Sequence, residues 1–281
     1  MKSLIQKNTL TTYYLLAVVI TTIASLPLIL STQGIIAQDV SPEWHPLGAL
    51  GPILGAGLVA YFTRGKWGLA NYIKSLRDTK FSLKLFLFSI SSLLVYPVVA
   101  TAVSLFSQQT GQGFTQLSPI WWISLLISAI AYGIGEEAGW RGFALPRLQA
   151  RMNALWSIFI LTIFHALWHI PFFYYRLHFE GFALFGFFIG MLAGGIIMTT
   201  LYNESSGKTL LPILFHTTWN IAAQISLATF PEVTYVLTTL QIVTAVIIVI
   251  VYRPTNLATQ TRYAIDDSAQ EVLLKTQYSV Q

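Results

Sequence analysis

The stretch from Leu85 to Gly135 reads LFLFSISSLLVYPVVATAVSLFSQQTGQGFTQLSPIWWISLLISAIAYGIG and contains no charged residue. A helix that crosses a bilayer needs about 20 apolar residues, so this stretch is long enough for two such helices. The polar, glycine-containing segment from Gln108 to Gly113 is typical of a turn and divides them. In soluble domains roughly a quarter of the residues are charged, whereas in this chain of 281 residues 10% are charged. The composition therefore excludes a water-soluble globule and indicates a membrane protein.

Six further uncharged stretches, each long enough for one such helix, occur along the chain. None shows the alternation of apolar and polar residues that a membrane β-barrel requires. The predicted fold class is therefore all-α, a polytopic integral membrane helical bundle of about eight transmembrane helices. These helices are predicted at Leu10 to Leu30, Pro46 to Thr63, Leu83 to Phe106, Pro119 to Gly139, Ala154 to Tyr174, Gly181 to Tyr202, Thr209 to Phe230 and Val233 to Tyr252.

The positions of the basic residues predict how the helices are oriented. If the N-terminus is cytoplasmic, every Lys and Arg residue except Arg176 falls on the cytoplasmic side of the eight spans. This asymmetry is the positive-inside pattern, and it favours an N-in, C-in topology. Lys2 and Lys7 before the first apolar run also permit a cleaved signal peptide, which would leave the orientation of the other spans unchanged.

The chain is predicted to form one transmembrane domain over residues 1–254, with its motifs at 136–220, and a poorly ordered polar cytoplasmic tail over 255–281. The segment from Gly65 to Ser82 mixes apolar and basic residues, which suggests a short helix at the membrane surface. The absence of cysteine excludes disulfides and thiolate chemistry. Scattered basic residues do not form a nucleic-acid-binding face. We expect a multi-pass protein of the cell membrane whose surroundings are bilayer lipids.

Five glutamate and histidine side chains fall within predicted spans, where insertion of an ionisable group costs roughly 2.5 to 3.5 kcal/mol. Residues with this cost usually face a protein interior or a wet cavity and mark function. A single histidine in an apolar span is more often a packed residue, and the two glutamates could be interfacial carboxylates neutralised by nearby arginines. The five residues are Glu136, Glu137, His165, His169 and His216.

Helical spacing places several of these groups on shared faces. Residues four apart lie on one face of a helix, so His165 and His169 point together, as do His216 and Asn220. Together, carboxylates, imidazoles and one amide suit water activation. A carboxylate can take a proton from water, an imidazole can position that water, and an amide can donate to a developing oxyanion. The same spacing pairs Glu137 with Arg141 and Glu136 with Trp140.

Three motifs resemble those of a known family. The chain reads EEAGWRGFALPRLQ from Glu136 to Gln149, LWHIP from Leu167 to Pro171 and FHTTWN from Phe215 to Asn220. In this order they are similar to the EExxWRG...LPxLQ, FxxxH and HxxxN elements of the CPBP intramembrane proteases. That family includes the type II CAAX prenyl endopeptidases and bacteriocin-immunity-type membrane proteins.

The resemblance implies a role for each matched residue. Glu136 would be the main general base, His169 would assist it, and His216 with Asn220 would hold the scissile carbonyl. Glu137 and Arg141 would form a supporting pair that orients the motif. Trp140 is expected to pack beside the site. At the position of the phenylalanine in FxxxH this chain has His165, which is expected to line the site in an unassigned role.

The family is commonly described as one of metalloproteases, so a metal ion has to be considered. A catalytic zinc site needs three protein ligands and an open position, which His169, His216 and a glutamate could supply. The chain contains no HExxH motif. Because Asn220 lies one turn from His216 and is a poor zinc ligand, the metal-free mechanism is slightly favoured, with zinc left open.

The predicted function is an intramembrane endopeptidase that hydrolyses a peptide bond near the cytoplasmic membrane face. The resemblance implies prenylated CAAX-type substrates, and other membrane-associated peptides fit equally well. Two alternatives stay open. One is a non-enzymatic bacteriocin-immunity or scaffold protein that keeps the motifs for structure. The other is an ion or metal transporter, which ranks lower because no inverted repeat is visible.

Overall fold

The computed structural model describes residues 2–107, 117–178 and 180–267, and within these ranges the chain forms helices and no strand. The all-helical fold class is confirmed. Three segments are named by their residues: the short helix Lys2–Lys7, the 3₁₀ helix Pro42–Ala49 and the π-helical segment Trp140–Ala144. The other helices are numbered along the chain. They are α1 (Thr9–Thr32), α2 (Leu50–Ser75), α3 (Leu83–Ser89), α4 (Ser91–Ser107), α5 (Pro119–Gly139), α6 (Leu145–Gln149), α7 (Ala154–Trp168), α8 (Ile170–Phe173), α9 (Phe182–Glu204), α10 (Leu210–Thr229) and α11 (Pro231–Asn256).

Each of the eight predicted helices has a helical counterpart. In the described part of the chain, five helices or joined helices are long and apolar enough to cross a membrane. A sixth arises if α3 and α4, which meet at a 52° bend, form one span. The protein is therefore a polytopic helical membrane bundle. The number of eight crossings and the N-in, C-in orientation stay predictions. The predicted turn at Gln108 to Gly113 lies outside the described residues.

A kink at Gly65 separates the apolar part of α2 from the predicted surface helix. Gly65 has φ 65° and ψ −156°, a conformation that glycine adopts far more readily than residues with a Cβ atom. After this residue the chain stays helical to Ser75. The folded-back turns pack under α5, where the Tyr72 hydroxyl donates to the Ala138 carbonyl oxygen (3.1 Å). The predicted short helix is thus present up to Ser75, as a bent continuation of α2.

Small residues let α5 lie directly against the preceding elements. A Cβ atom on Gly135 would fall 2.2 Å from the Ala49 carbonyl oxygen, and one on Gly139 would fall 2.5 Å from the Pro52 Cβ atom. Such distances leave room for hydrogen only. Gly135 is paired with Ala49, and Gly139, four residues later, is paired with Pro52, three residues later. Because the residue numbers increase together, α2 and α5 run in the same direction. The glutamates that follow Gly135 are consequently held in the interior of the bundle.

The two ends of the bundle differ in charge. At one end Asp267 accepts hydrogen bonds from Arg64 (3.1 Å) and Arg147 (2.9 Å). Lys208 lies 3.4 Å from Asp78 near the same end. We call this the basic end. The opposite end, here the far end, contains the start of α5 at Pro119 and the segment after α8.

The beginning of the predicted tail packs on the basic end. The backbone N–H of Ile265 donates to the Pro146 carbonyl oxygen (3.0 Å), and Gln149 Nε2 donates to the Tyr263 carbonyl oxygen (2.8 Å). Residues up to 267 are therefore held by hydrogen bonds, unlike the poorly ordered tail that was expected. The remainder of the predicted tail lies outside the described residues.

Candidate active site

Glu136 lies near the end of α5, and two side chains hold its carboxylate. His165 Nε2 from α7 contacts Oε2 of Glu136 directly. Trp140 Nε1 donates to the same oxygen over 3.3 Å. After α5 the chain continues as a π-helical segment, Trp140–Ala144, and such segments are frequent at functional sites. A buried carboxylate, 2% exposed, is thus held in one orientation by groups from two helices.

A second cluster forms around Glu137, whose side chain is fully buried. Oε1 of Glu137 accepts a hydrogen bond from Arg141 Nη1 (2.9 Å) and lies 2.8 Å from His216 Nδ1. Because a carboxylate can only accept, His216 carries its proton on Nδ1 and turns Nε2 away from Glu137. The pair of Glu137 and Arg141 therefore orients the imidazole of α10 from behind.

His169 follows α7 directly and is its C-terminal cap. Its Nδ1 lies 2.9 Å from the His165 carbonyl oxygen. Since a carbonyl oxygen accepts, Nδ1 is the donor, and Nε2 of the neutral ring keeps its lone pair. Pro171 then opens the short helix α8. The break between α7 and α8 thus presents His169 at the end of a helix rather than within one.

One cavity of about 160 Å³ connects the three helices that carry the motifs. A water molecule needs roughly 10 to 15 Å³ of such space and some polar partners, so the cavity can hold several. Glu136, His169, His216 and Asn220 all line it. The other lining residues are His45, Leu125, Ser128, Ala129, Tyr132, Phe172, Arg176, Leu177, Phe187 and Gln224.

The predicted span from Pro119 to Gly139 places Glu136 and Glu137 close to its end, but the helical stretch in the structure is longer. The apolar helical stretch continues from Pro119 to Gln149. At 1.5 Å per residue, Glu136 lies about 25 Å from its start and about 20 Å from its end. His169 stands at the end of α7, well away from the start of that helix. Glu136 and His169 are therefore both near the middle of the bundle.

The structure brings the predicted site residues together but separates them into two groups. Glu136, His169, His216 and Asn220 face the cavity, whereas Glu137 and Arg141 lie behind His216. His165 was expected to line the site, and it is not among the cavity-lining residues but supports Glu136 from behind. Trp140 packs as expected, with its ring 5.0 Å from that of His165 and 5.9 Å from that of Trp168.

Sequence reasoning missed His45, Tyr132 and Arg176. His45 Nδ1 lies 2.8 Å from the Tyr175 hydroxyl, and the Tyr132 hydroxyl donates to the His45 carbonyl oxygen (3.0 Å). These contacts place the 3₁₀ helix Pro42–Ala49, which precedes α2, in the cavity wall. For Arg176 a signal existed, because it is the single basic residue assigned to the non-cytoplasmic side.

Three side chains near the cavity could hold a metal ion. Among the described residues, donor atoms of Glu136, His165 and His169 lie within 4.8 Å of one another. One carboxylate and two imidazoles form a donor set that suits zinc. His216, which the sequence suggested as a ligand, is instead turned toward Glu137. The donors thus fit a zinc ion in type and number, with His165 in place of His216.

Comparisons with known proteins agree with the motifs. Residues 118–222 match the family model described as type II CAAX prenyl endopeptidase Rce1-like. The chain is also 29% identical, over 124 residues, to CAAX prenyl protease 2 of Methanococcus maripaludis. That alignment covers 41% of this chain and 44% of the relative, so the chain spans less than half the length of the curated protein it matches. The family match and the relative both support the resemblance to the CPBP and CAAX proteases that the three motifs predicted.

Proposed function

We propose that this protein is an intramembrane endopeptidase that hydrolyses peptide bonds with water activated by Glu136. One observation carries the proposal. A carboxylate, two imidazoles and an amide from three separate helices line one cavity large enough for water, inside an apolar bundle. Ionisable groups are costly at this depth, so their convergence supports a chemical role. The family match of residues 118–222 supports a protease in particular.

In the first step Glu136 removes a proton from a cavity water while the water oxygen attacks the carbonyl carbon of the peptide bond. His165 and Trp140 hold the carboxylate through Oε2. His169, which keeps a lone pair on Nε2, orients the same water. General-base catalysis of this kind contributes roughly 100- to 10,000-fold to rate.

The attack creates a tetrahedral intermediate whose oxyanion needs hydrogen-bond donors. Asn220 can donate through its amide group. His216 can donate through Nε2 when that atom carries a proton, while its Nδ1 stays bonded to Glu137. Glu137 and Arg141 are positioning residues, since they act on the reaction only through His216.

Collapse of the intermediate breaks the carbon–nitrogen bond. The proton taken by Glu136 passes to the departing nitrogen, directly or through His169. The products are a carboxyl terminus on one fragment and an amine on the other. Water is consumed, and the protein returns to its starting protonation state.

The substrate is proposed to be a membrane-associated peptide. The name of the relative, CAAX prenyl protease 2, supports a prenylated C-terminal peptide. Other membrane peptides remain equal candidates, as the sequence suggested, and the cell membrane is the proposed location. Cleavage near the cytoplasmic membrane face stays a prediction from the sequence.

The proposal is tested with purified protein in detergent and a library of prenylated and unprenylated peptides, with the products identified by mass spectrometry. We expect cleavage at a defined peptide bond within a subset of the library. Folded protein that cleaves no member of the library would contradict the proposal.

Asn220 provides a test of the oxyanion site. Replacing Asn220 by alanine is expected to lower kcat by roughly 100- to 1,000-fold with little change in KM, because the donor acts mainly in the transition state. Asn8→Ala, outside the cavity, is the matched control and should retain full activity. A kcat for Asn220→Ala within threefold of the parent would exclude Asn220 as an oxyanion donor.

The metal-free mechanism is proposed, with zinc as the alternative. A zinc ion at Glu136, His165 and His169 would supply Lewis-acid activation of water. We expect metal analysis of active protein to give much less than one equivalent of zinc, and activity to survive prolonged treatment with a strong chelator. One equivalent of zinc, lost together with activity and restored with it, would establish the alternative. Binding of added zinc to His165→Phe, measured by calorimetry, would show whether that ligand is needed.

A further inference from the structure

A second cavity continues from the site toward the far end of the bundle. This cavity, here the vestibule, has a volume of about 380 Å³. It reaches Pro42 and Glu43 before α2 and Ser118 before α5. Five residues line both the vestibule and the inner cavity: His45, Leu125, Ser128, Arg176 and Gln224. The two spaces therefore form a path from the far end of the bundle to Glu136.

This path leads away from the basic end. Ser118 and Glu43 belong to connections that precede α5 and α2, whereas Arg147 and Lys208 lie where α6 and α10 meet the opposite connections. Positive residues in short connections are retained on the cytoplasmic side. The vestibule opens at the far end of the bundle, which the predicted N-in, C-in topology places on the non-cytoplasmic side.

Arg176 stands where the two cavities meet. It is the single basic residue on the far side of the predicted topology and the single Lys or Arg that lines either cavity. Among the described residues, no carboxylate lies within ion-pair distance of Arg176. Glu43 lines the vestibule but not the inner cavity. A guanidinium in this position presents a planar set of donors that matches a carboxylate.

We propose that the peptide substrate reaches the site through the vestibule, from the far end of the bundle, and that Arg176 binds a carboxylate of that peptide. This inference rests on the proposed protease function. The carboxylate is either the C-terminus of the peptide or an Asp or Glu side chain. In either case the contact holds the chain across the junction, so that a peptide bond further along can reach Glu136.

The route is tested by thiol labelling, which suits a chain without cysteine. Ser128→Cys places a thiol where the cavities meet. Glu43→Cys and Arg151→Cys place exposed reference thiols at the far and basic ends. Intact cells and inverted vesicles are treated with a charged, membrane-impermeant methanethiosulfonate. We expect the thiol at position 128 to react from the same side as the one at position 43. Reaction only from the side that labels position 151 would overturn the proposed route.

The role of Arg176 is tested with a cleaved peptide from the library assay, prepared with a free C-terminal carboxylate or as the amide. A further set replaces each Asp or Glu by its amide. We expect removal of one carboxylate to raise the KM of the parent protein by roughly 10- to 100-fold, the range of a charged hydrogen bond. Arg176→Gln should lose this discrimination, and Arg176→Lys should keep part of it. Which peptide shows the effect identifies the source of the carboxylate.

The outcomes separate this inference from the proposed function. Arg151→Gln, at the basic end, is the matched control and should discriminate like the parent. If cleavage depends on Glu136 but Arg176→Gln still prefers the carboxylate peptide, Arg176 is not the receptor and the inference fails alone. If cleavage does not depend on Glu136, the proposed function fails, while the labelling result still decides the route.

Discussion

Replacing Glu136 by glutamine is expected to lower kcat by roughly 100- to 10,000-fold, the contribution of a positioned general base. Glutamine has the size of glutamate and can still accept a hydrogen bond from Trp140, but it cannot take a proton from water. The loss should appear in kcat, with KM within a few-fold of the parent, because the side chain acts on water. The measurement is steady-state cleavage of one library peptide in detergent.

Glu180→Gln is the matched control for this change, since Glu180 is exposed on the loop before α9. It should leave kcat unchanged. A Glu136→Gln protein that cleaves as fast as the parent would contradict the assignment of the base. If such a protein also still protected a host against a toxic peptide, the non-enzymatic alternative would gain support.

Replacing Arg141 by methionine is expected to lower the free energy of unfolding by about 3–5 kcal/mol, the cost of leaving a buried charge without its partner. The side chains of Arg141 and Glu137 are 2% and 0% exposed. Methionine retains much of the length of arginine, so the lost charge dominates the effect. The measurement is thermal or denaturant unfolding of the purified protein in one detergent.

Two comparisons make the test of Arg141 specific. The double variant with Glu137→Gln removes both charges and should recover much of the stability, since neither charge is then buried alone. Arg147→Met breaks a more exposed pair, in which Asp267 is 32% exposed, and should cost about 1 kcal/mol or less. If Arg141→Met and Arg147→Met were equally destabilising, burial of the pair of Arg141 and Glu137 would not explain the cost of losing Arg141.

Much of the fold and of the site could be predicted because it depends on local spacing. Uncharged runs identified each helix, since a bilayer leaves few alternatives to helical hydrogen bonding. The four-residue spacing of His216 and Asn220 placed both on one helix face, and both line the cavity. The spacing of Glu137 and Arg141 predicted their ion pair in the same way.

Other features depend on contacts between distant segments, which spacing along one helix does not contain. The predicted span ended at Gly139, only three residues after Glu136. In the structure the chain stays helical through the π-helical segment to Gln149, so Glu136 lies farther from the end of the helical stretch. His165 lies in the last turn of α7 and His169 caps that helix, yet His165 turns toward Glu136 behind the cavity wall. The vestibule is built from the 3₁₀ helix with His45, the start of α5 and the residues after α8. Only the assembled bundle shows that these segments lie close together.

The central claim is that a water molecule in the shared cavity attacks a peptide bond. Cleavage in water enriched with ¹⁸O, followed by mass spectrometry of both fragments, tests it most directly. The account predicts one ¹⁸O atom in the new carboxyl terminus of the N-terminal fragment, none in the other fragment, and loss of the labelled product in Glu136→Gln. Unlabelled products formed at the parent rate, or labelled product formed equally fast without Glu136, would contradict it.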